Sequence, residues 1–156
     1  MAYKVKVALD AMGGDNAPEQ IVKGAVDAVN LDEQIFVYLV GKQELVNEEL
    51  KKYTYNKKQI EVVNATDVIE TGEAPVMAVR RKKDSSLVKA LTMVKEKKAD
   101  AFVSAGSSGA ILVGGQVIVG RLKGVERPPM APLIPTAKGV TLIVSTCCDT
   151  VCIARS

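Results

Sequence analysis

Histidine and tryptophan are both absent from this chain of 156 residues. Without histidine, the chain itself cannot form a Ser-His-Asp or Cys-His nucleophile system, or a zinc site with histidine ligands. The three cysteines, Cys147, Cys148 and Cys152, are odd in number and close together, which argues against a disulfide framework or a metal site. We expect these thiols to be reduced and unpaired, and any chemistry to use lysine, carboxylates, hydroxyls or backbone donors.

Aromatic residues make up only 4% of the chain, and the formal net charge is +3. Because this charge is small and no aromatic residues alternate with the basic ones, nucleic-acid binding is not expected. No run approaches the roughly 18 apolar residues of a membrane span, and the first residues lead into a strand rather than a signal peptide. These features favour a cytoplasmic protein with one globular domain.

Short apolar runs alternate with longer amphipathic segments along the chain. The amphipathic segments predict helices at Pro18–Asn30, Gln43–Lys52, Asp84–Lys98 and Gly106–Leu122, with Asp84 or Ser85 as the cap of the third. The apolar runs predict strands at Lys4–Asp10, Ile35–Val40, Ile60–Asn64, Ala99–Ser104, Leu133–Ile134 and Val140–Val144. This alternation is typical of an α/β fold whose mostly parallel sheet is covered on both faces.

A glycine loop, Met12–Pro18, directly follows the first predicted strand. Its two glycines allow a sharp turn, Asp15 or Asn16 can cap the following helix, and Pro18 suits that helix's first turn. Backbone N–H groups at such a turn can bind an anion, usually a phosphate. The same residues also suit a tight turn without a ligand.

A second glycine loop, Ser104–Gly109, lies between another buried strand and a helix. Its hydroxyl and N–H groups can donate to phosphate oxygens, although it matches neither a Walker loop nor a dinucleotide fingerprint. Because both loops follow parallel strands, we expect them at the same edge of the sheet, where ligands bind. The candidate phosphate- or substrate-binding residues are Asp10, Gly13, Gly14, Asp15, Asn16, Ser104, Gly106, Ser107, Ser108 and Gly109.

A run of four basic residues, Arg80–Lys83, precedes the predicted helix at Asp84. A charge run usually forms a solvated surface, and this interpretation is preferred for the later lysines Lys95, Lys97 and Lys98. The candidates for holding a phosphate or an acidic partner are Arg80, Arg81 and Lys83.

Four stretches of the sequence together carry a family resemblance. They are Ala8–Pro18 (ALDAMGGDNAP), Ala78–Leu87 (AVRRKKDSSL), Ala99–Ala110 (ADAFVSAGSSGA) and Gly124–Pro128 (GVERP). In this order they resemble the N-terminal half of the PlsX-type phosphate acyltransferases of bacterial phospholipid synthesis. The resemblance extends from about Lys4 to Leu142.

The resemblance implies an enzyme that transfers a fatty acyl group from acyl carrier protein to inorganic phosphate, giving an acyl phosphate. It also implies a three-layer α/β/α sandwich similar to the isocitrate and isopropylmalate dehydrogenases, and a homodimer with at most peripheral membrane association. No nicotinamide cofactor or metal is expected, and no catalytic residue is assigned. Acyl carrier protein is acidic, so Arg80, Arg81 and Lys83 are candidates for docking it. The alternative is a catalytically inactive phosphate-binding fragment or interaction domain of the same fold.

Two stretches depart from the family pattern. Ser107 and Ser108 stand where the family commonly has Asn-Thr, a change that keeps hydroxyl groups in the loop. Residues 145–156 change abruptly to a cysteine-containing composition, as a frameshift or a truncated gene model would produce. We therefore predict that residues 1–144 are the N-terminal part of the acyltransferase domain and that 145–156 are an atypical tail. We also predict that the chain alone is inactive, poorly soluble, or both.

Overall fold

The computed structural model describes residues 3–125, 129, 131, 133–137 and 139–143 of the chain. The chain divides into two compact units, Met1–Gly120 and Arg121–Ser156. The predictions for the tail, including those for Cys147, Cys148 and Cys152, lie outside the described residues, as does the stretch Glu126–Pro128. Within the described ranges, none of the helices has the length and apolar character that crossing a membrane requires.

A four-stranded parallel sheet with the order β3-β2-β1-β4 forms the centre of the first unit. The strands are β1 (Val5–Asp10), β2 (Ile35–Gly41), β3 (Ile60–Asn64) and β4 (Ala101–Val103). Each corresponds to a predicted strand, although β4 is shorter than predicted because its pairing with β1 ends at Val103. The predicted α/β architecture with a parallel sheet is confirmed.

Five α-helices lie in the described part of the first unit. They are α1 (Glu19–Leu31), α2 (Gln43–Leu50), α3 (Pro75–Arg81), α4 (Ser86–Lys95) and α5 (Ser108–Gly114), and α5 continues into a π-helical turn at Gly115–Val119. Four of these helices correspond to predicted ones. The sequence pattern does not predict α3, because its 7 residues make only two turns and show too little periodicity.

Adjacent side chains of β2 belong to apolar clusters on opposite faces of the sheet. Leu39 belongs to a cluster that includes Val22 of α1, whereas Val40 belongs to another that includes Ala90 of α4. All four side chains are fully buried. Because successive side chains of a strand point to opposite faces, α1 and α4 cover opposite sides of the sheet. The sheet is therefore covered on both faces, as the uniformly apolar strands predict.

The start of α1 differs from the prediction. The helix begins at Glu19, and neither Asp15 nor Asn16 caps it with a side chain. The first turn is closed through the backbone instead, since the Gln20 N–H donates to the carbonyl oxygen of Asn16 at 3.1 Å. The predicted side-chain cap is therefore wrong, and the polar side chains of this loop remain exposed.

Helices α4 and α5 are shorter than predicted. Ser85, one of the two predicted caps of α4, accepts a hydrogen bond at Oγ from the Val88 N–H at 3.4 Å. The helix ends at Lys95, and Lys97 then takes a left-handed conformation with φ 58°. The π-helical turn after α5 stops at Gly120, whose φ of 104° is incompatible with a continuing helix.

The second unit contains an antiparallel sheet of two strands, β5 (Leu133–Thr136) and β6 (Gly139–Leu142). The sequence predicts both strands but not their direction. Only two residues separate them, and a connection this short permits antiparallel pairing alone. The predicted end of the second strand, Val144, lies outside the described residues.

Candidate functional site

The two glycine loops follow neighbouring strands at the point where the strand order of the sheet reverses. From β1 the chain adds β2 and β3 on one side, and it later adds β4 on the other side. In open parallel sheets, ligand crevices form at such a reversal, beyond the carboxyl ends of the strands. The loop after β1, Met12–Pro18, and the loop after β4, Ser104–Gly109, therefore lie at the same edge of the sheet, as predicted.

The two loops approach each other closely. A Cβ atom added to Gly13 would lie 2.7 Å from Ser104 Oγ and 2.9 Å from the backbone nitrogen of Gly106. Gly14, with φ 101°, lies against Ala105, whose Cβ would be 3.1 Å from an added Cβ. Glycine is thus required at Gly13 by the close approach of the second loop, and at Gly14 by its positive φ.

A chain of hydrogen bonds through Asp10 joins the two loops. The Met12 N–H donates to Asp10 Oδ1 at 3.1 Å, and the Ser104 hydroxyl donates to Asp10 Oδ2 at 2.8 Å. The Gly106 N–H in turn donates to Ser104 Oγ at 3.0 Å. Asp10 is only 2% exposed, so this is a buried carboxylate with a hydrogen bond on each oxygen. Since the Gly106 N–H already has a partner, it is not a donor that a ligand can use.

Other backbone N–H groups of the loops have no hydrogen-bond partner among the described residues. They include the N–H groups of Gly14, Asp15 and Asn16 in the first loop and those of Ser107 and Ser108 in the second loop. The side chains of Asp15, Asn16 and Ser108 are exposed. Ser107 Oγ accepts from the Ala110 N–H at 3.4 Å, which leaves its hydroxyl proton for another acceptor. Unpartnered N–H and O–H donors on two adjoining loops suit an anion such as phosphate.

Gly109, the last of the ten candidate residues, faces α3 rather than the first loop. A Cβ atom at Gly109 would lie 2.9 Å from Cγ of Pro75, the first residue of α3. The residue at this position is therefore small because Pro75 packs against it. Two residues are missing from the predicted set: Pro75, which contacts Gly109, and Ala105, a residue of the second loop that contacts Gly14. The proline was a usable signal, because proline in the first turn is typical of a helix start.

Arg80, Arg81 and Lys83 are exposed and form no ion pair with other described residues. Arg80 and Arg81 form the last turn of α3, where positive charge complements the helix dipole. The basic run does precede the start of α4, as the sequence suggests, and its two arginines also end α3, which the sequence does not predict. All three side chains remain available to an acidic partner.

Lys82, within the same run, has a structural role. Its Nζ donates to the carbonyl oxygen of Val68 at 2.7 Å and pairs with Glu73 Oε1 at 2.6 Å. Glu73 Oε1 also accepts from the Glu70 N–H at 2.7 Å. The hydrogen bond from Lys82, followed by that from Glu70, lowers the pKa of Glu73. Lys82 thus joins the end of α3 to the loop that precedes it.

A second polar network lies at the carboxyl end of β3. Lys89 Nζ lies 2.6 Å from Asp84 Oδ1 and donates to the carbonyl oxygen of Asn64 at 2.7 Å. Thr66 donates to Asp84 Oδ2 from its hydroxyl at 2.7 Å and from its N–H at 3.2 Å. The hydrogen bonds from Lys89 and then from Thr66 lower the pKa of Asp84 to about 2. The network joins β3 to the segment before α4, and no sequence motif predicts it.

Known proteins match almost the whole chain. The model of a family described as "Fatty acid synthesis protein" matches residues 5–155. A protein named phosphate acyltransferase from Alkaliphilus oremlandii is 50% identical over 153 residues, which are 97% of this chain and 45% of that protein. A phosphate acyltransferase from Clostridium acetobutylicum is 53% identical over 129 residues, which are 83% of this chain and 39% of that protein. The chain therefore spans less than half the length of these relatives. The resemblance carried by the four motifs is confirmed: the chain belongs to the fatty acid synthesis protein family, that of the PlsX-type phosphate acyltransferases.

Proposed function

We propose that this chain is the N-terminal part of a phosphate acyltransferase. The complete enzyme transfers a fatty acyl group from acyl carrier protein to inorganic phosphate and gives an acyl phosphate for phospholipid synthesis. Family membership and about 50% identity to proteins named phosphate acyltransferase support the reaction class. The observation that carries the phosphate half of the proposal is the contact between the two glycine loops at the reversal point of the sheet.

Phosphate binds, in this proposal, between the loop Met12–Pro18 and the loop Ser104–Gly109. The unpartnered N–H groups of both loops and the Ser108 hydroxyl donate to its oxygens. A phosphate oxygen then attacks the carbonyl carbon of the acyl thioester. The carbon–sulfur bond breaks, and the carrier thiolate leaves and takes up a proton. Holding phosphate in a fixed orientation supplies part of the rate acceleration, because the attack becomes effectively intramolecular.

The docking surface for the carrier protein consists of the exposed residues Arg80, Arg81 and Lys83. Helix α3 links this surface to the phosphate site, since Pro75 at its first residue contacts Gly109 of the second loop. A helix of 7 residues is only about 10 Å long. An acidic carrier bound at the end of α3 therefore lies close to the loop that holds phosphate.

The proposal includes the finer features of the family. The four parallel strands belong to a three-layer α/β/α sandwich similar to the isocitrate and isopropylmalate dehydrogenases, and the enzyme is a cytoplasmic homodimer without a nicotinamide cofactor or metal. Helices on both faces of the sheet support the sandwich. Residues 1–144 are assigned to the acyltransferase domain, and the tail 145–156 is assigned no part in the reaction.

A second candidate function is phosphate binding without turnover. It is favoured by the composition of the site, because the groups that the two loops bring together suit an anion, and no residue is assigned to the thioester. The two candidates differ in the assay of a full-length protein that carries residues 1–143 of this sequence. Binding of inorganic phosphate by that protein without release of carrier protein would support the second one.

The test of the first candidate uses a full-length protein that carries residues 1–143 of this sequence. We expect release of carrier protein from its acyl thioester to depend on added phosphate, and the chain of 156 residues alone to show no turnover. Ser108→Ala in the full-length protein should raise the KM for phosphate about tenfold, as expected for a lost hydrogen bond to a charged ligand. Thr54→Ala, another exposed hydroxyl but before β3 at the opposite edge of the sheet, is the control. Release that is independent of phosphate, or equal KM values for both variants, would contradict the proposal.

A further inference from the structure

Asp10 is an unexpected residue at a phosphate site, because a carboxylate repels a phosphate at short range. Its carboxylate is 2% exposed, and each of its oxygens accepts a hydrogen bond from within the chain. It is therefore poorly suited to contact an anion directly. We propose that Asp10 is a positioning residue: through Ser104 it holds the Gly106 turn of the second loop against the first loop. The proposal rests on the proposed function only in taking phosphate as the ligand of the two loops.

The chemistry of the three groups fixes the direction of each hydrogen bond. An ionised carboxylate only accepts, so Ser104 must donate its single hydroxyl proton to Asp10. Ser104 Oγ can then offer its lone pairs, and the Gly106 N–H donates to one of them at 3.0 Å. The carboxylate thus sets the orientation of the serine hydroxyl, and the hydroxyl sets the position of the Gly106 turn.

Asparagine cannot replace Asp10 in this arrangement, although its size and shape are the same. Both neighbours of the carboxylate, the Met12 N–H and the Ser104 hydroxyl, are donors. An asparagine amide has one acceptor oxygen and one donor nitrogen, so it must place its NH₂ group opposite one of the two donors. One hydrogen bond of the chain is lost in either orientation. Asp10→Asn therefore breaks the link between the two loops, either at Met12 or at Ser104, with almost no change in volume.

Asp32 provides a matched control at the opposite edge of the sheet. Its Oδ1 accepts from the Gln34 N–H at 2.8 Å, the same two-residue turn that Asp10 forms with Met12. Asp32 is exposed and lies before β2, away from the glycine loops. Asp32→Asn removes the same charge, keeps an amide oxygen for the Gln34 N–H, and leaves the chain through Ser104 intact.

The first experiment measures amide hydrogen exchange in the protein without ligand. We expect Asp10→Asn to raise the exchange rate of the Gly106 amide about tenfold, and Asp32→Asn to leave it unchanged. Ser104→Ala should have the effect of Asp10→Asn, whereas Ser104→Thr, which keeps the hydroxyl, should not. Equal Gly106 exchange in wild type and Asp10→Asn would overturn the proposal. If Asp10→Asn does not fold, the comparison of the two Ser104 variants decides: equal Gly106 exchange in both would overturn it.

The second experiment measures the affinity for inorganic phosphate by calorimetry. If Asp10 and Ser104 act through one chain, each single variant and the double variant Asp10→Asn/Ser104→Ala should all lose about tenfold. A loss of about a hundredfold in the double variant would show two independent phosphate contacts instead. Tighter phosphate binding by Asp10→Asn would show that repulsion dominates, and both results would overturn the positioning role. Wild-type protein that binds no phosphate would contradict the proposed function, while the exchange experiment would still decide the role of Asp10.

Discussion

Gly13→Ala is the sharpest test of the contact between the two glycine loops. The added methyl carbon would lie 2.7 Å from both Asp10 Oδ2 and Ser104 Oγ, and 2.9 Å from the backbone nitrogen of Gly106. These atoms belong to one part-buried hydrogen-bonded chain, and one of them is backbone, so relief of the clash must break a hydrogen bond or shift the backbone. Gly13 does not have a positive φ, and the cost is therefore steric rather than conformational.

The magnitude follows from two effects. Overfilling a packed site costs about 1–3 kcal/mol, and a broken hydrogen bond to a buried charged group costs about 1.5–3 kcal/mol. Since the backbone shifts to relieve part of the strain, we expect Gly13→Ala to lower the free energy of unfolding by about 2–4 kcal/mol. Urea unfolding followed by circular dichroism at 25 °C measures this difference.

Gly24→Ala is the matched control. Gly24 lies in α1, is exposed, and an added Cβ would meet nothing within 4 Å. Alanine forms helix better than glycine, so this variant should be more stable than wild type by about 0.5–1 kcal/mol. If Gly13→Ala lost less than about 0.5 kcal/mol, an effect typical of surface positions, the close contact between the loops would be refuted.

Three further predictions concern other parts of the first unit. Because hydrogen bonds hold the pKa of Asp84 at about 2, below its ordinary value of 3.8, its carboxylate stabilises the fold above pH 4 and loses this effect as the pH falls through 2. Asp84→Asn should therefore lower the melting temperature at pH 6 much more than at pH 2, where the carboxylate is about half protonated, and an equal difference at both pH values would contradict the network. Gly114→Ala should destabilise the protein by about 1–3 kcal/mol in urea unfolding, because the added Cβ would lie 2.5 Å from Cδ1 of buried Leu91. Gly115→Ala is the control and should not destabilise it, because a Cβ added there has no atom within 4 Å. Removing the positive charges of Arg80, Arg81 and Lys83 should slow association with acyl carrier protein in stopped-flow measurements at low salt, and should weaken the salt dependence of the association rate. An unchanged association rate would exclude a docking role for these residues.

The strands and most helices of the first unit could be predicted because their patterns are local. Ile60–Asn64 was predicted residue for residue, and the uniformly apolar strands correctly indicated a sheet covered on both faces. The predicted side-chain cap of α1 is wrong because a side-chain cap and a turn closed by the backbone require similar residues. Only the backbone conformation at Asp15 and Asn16 distinguishes the two. The sequence does not predict helix α3, because its two turns are too short to show helical periodicity. Packing of Ala78 and Val79 in a buried apolar cluster stabilises it instead.

The candidate site could be located from the sequence but not resolved in detail. Two glycine loops after parallel strands predict a shared edge of the sheet, and the contact at Gly13 agrees with this. The sequence could not show that Asp10 and Ser104 bond to each other, or that Gly109 packs on Pro75. These contacts depend on side-chain positions across strands, and no local pattern encodes them. Whether the loops bind phosphate stays a prediction.

The pairing of β1 with β4 determines when, during synthesis of the chain, the two glycine loops can come together. Asp10 and Ser104 are 94 residues apart, and three residues of β4 pair with β1 to bring them together. During synthesis on the ribosome, the first three strands and α1 to α4 emerge before β4, so the two loops meet only after a long chain closure. An anion bound between them would bind the completed unit and not its precursors. At a concentration of 100 times its dissociation constant, such a ligand would stabilise the folded state by about 2.7 kcal/mol, so phosphate in the buffer would itself shift the folding equilibrium.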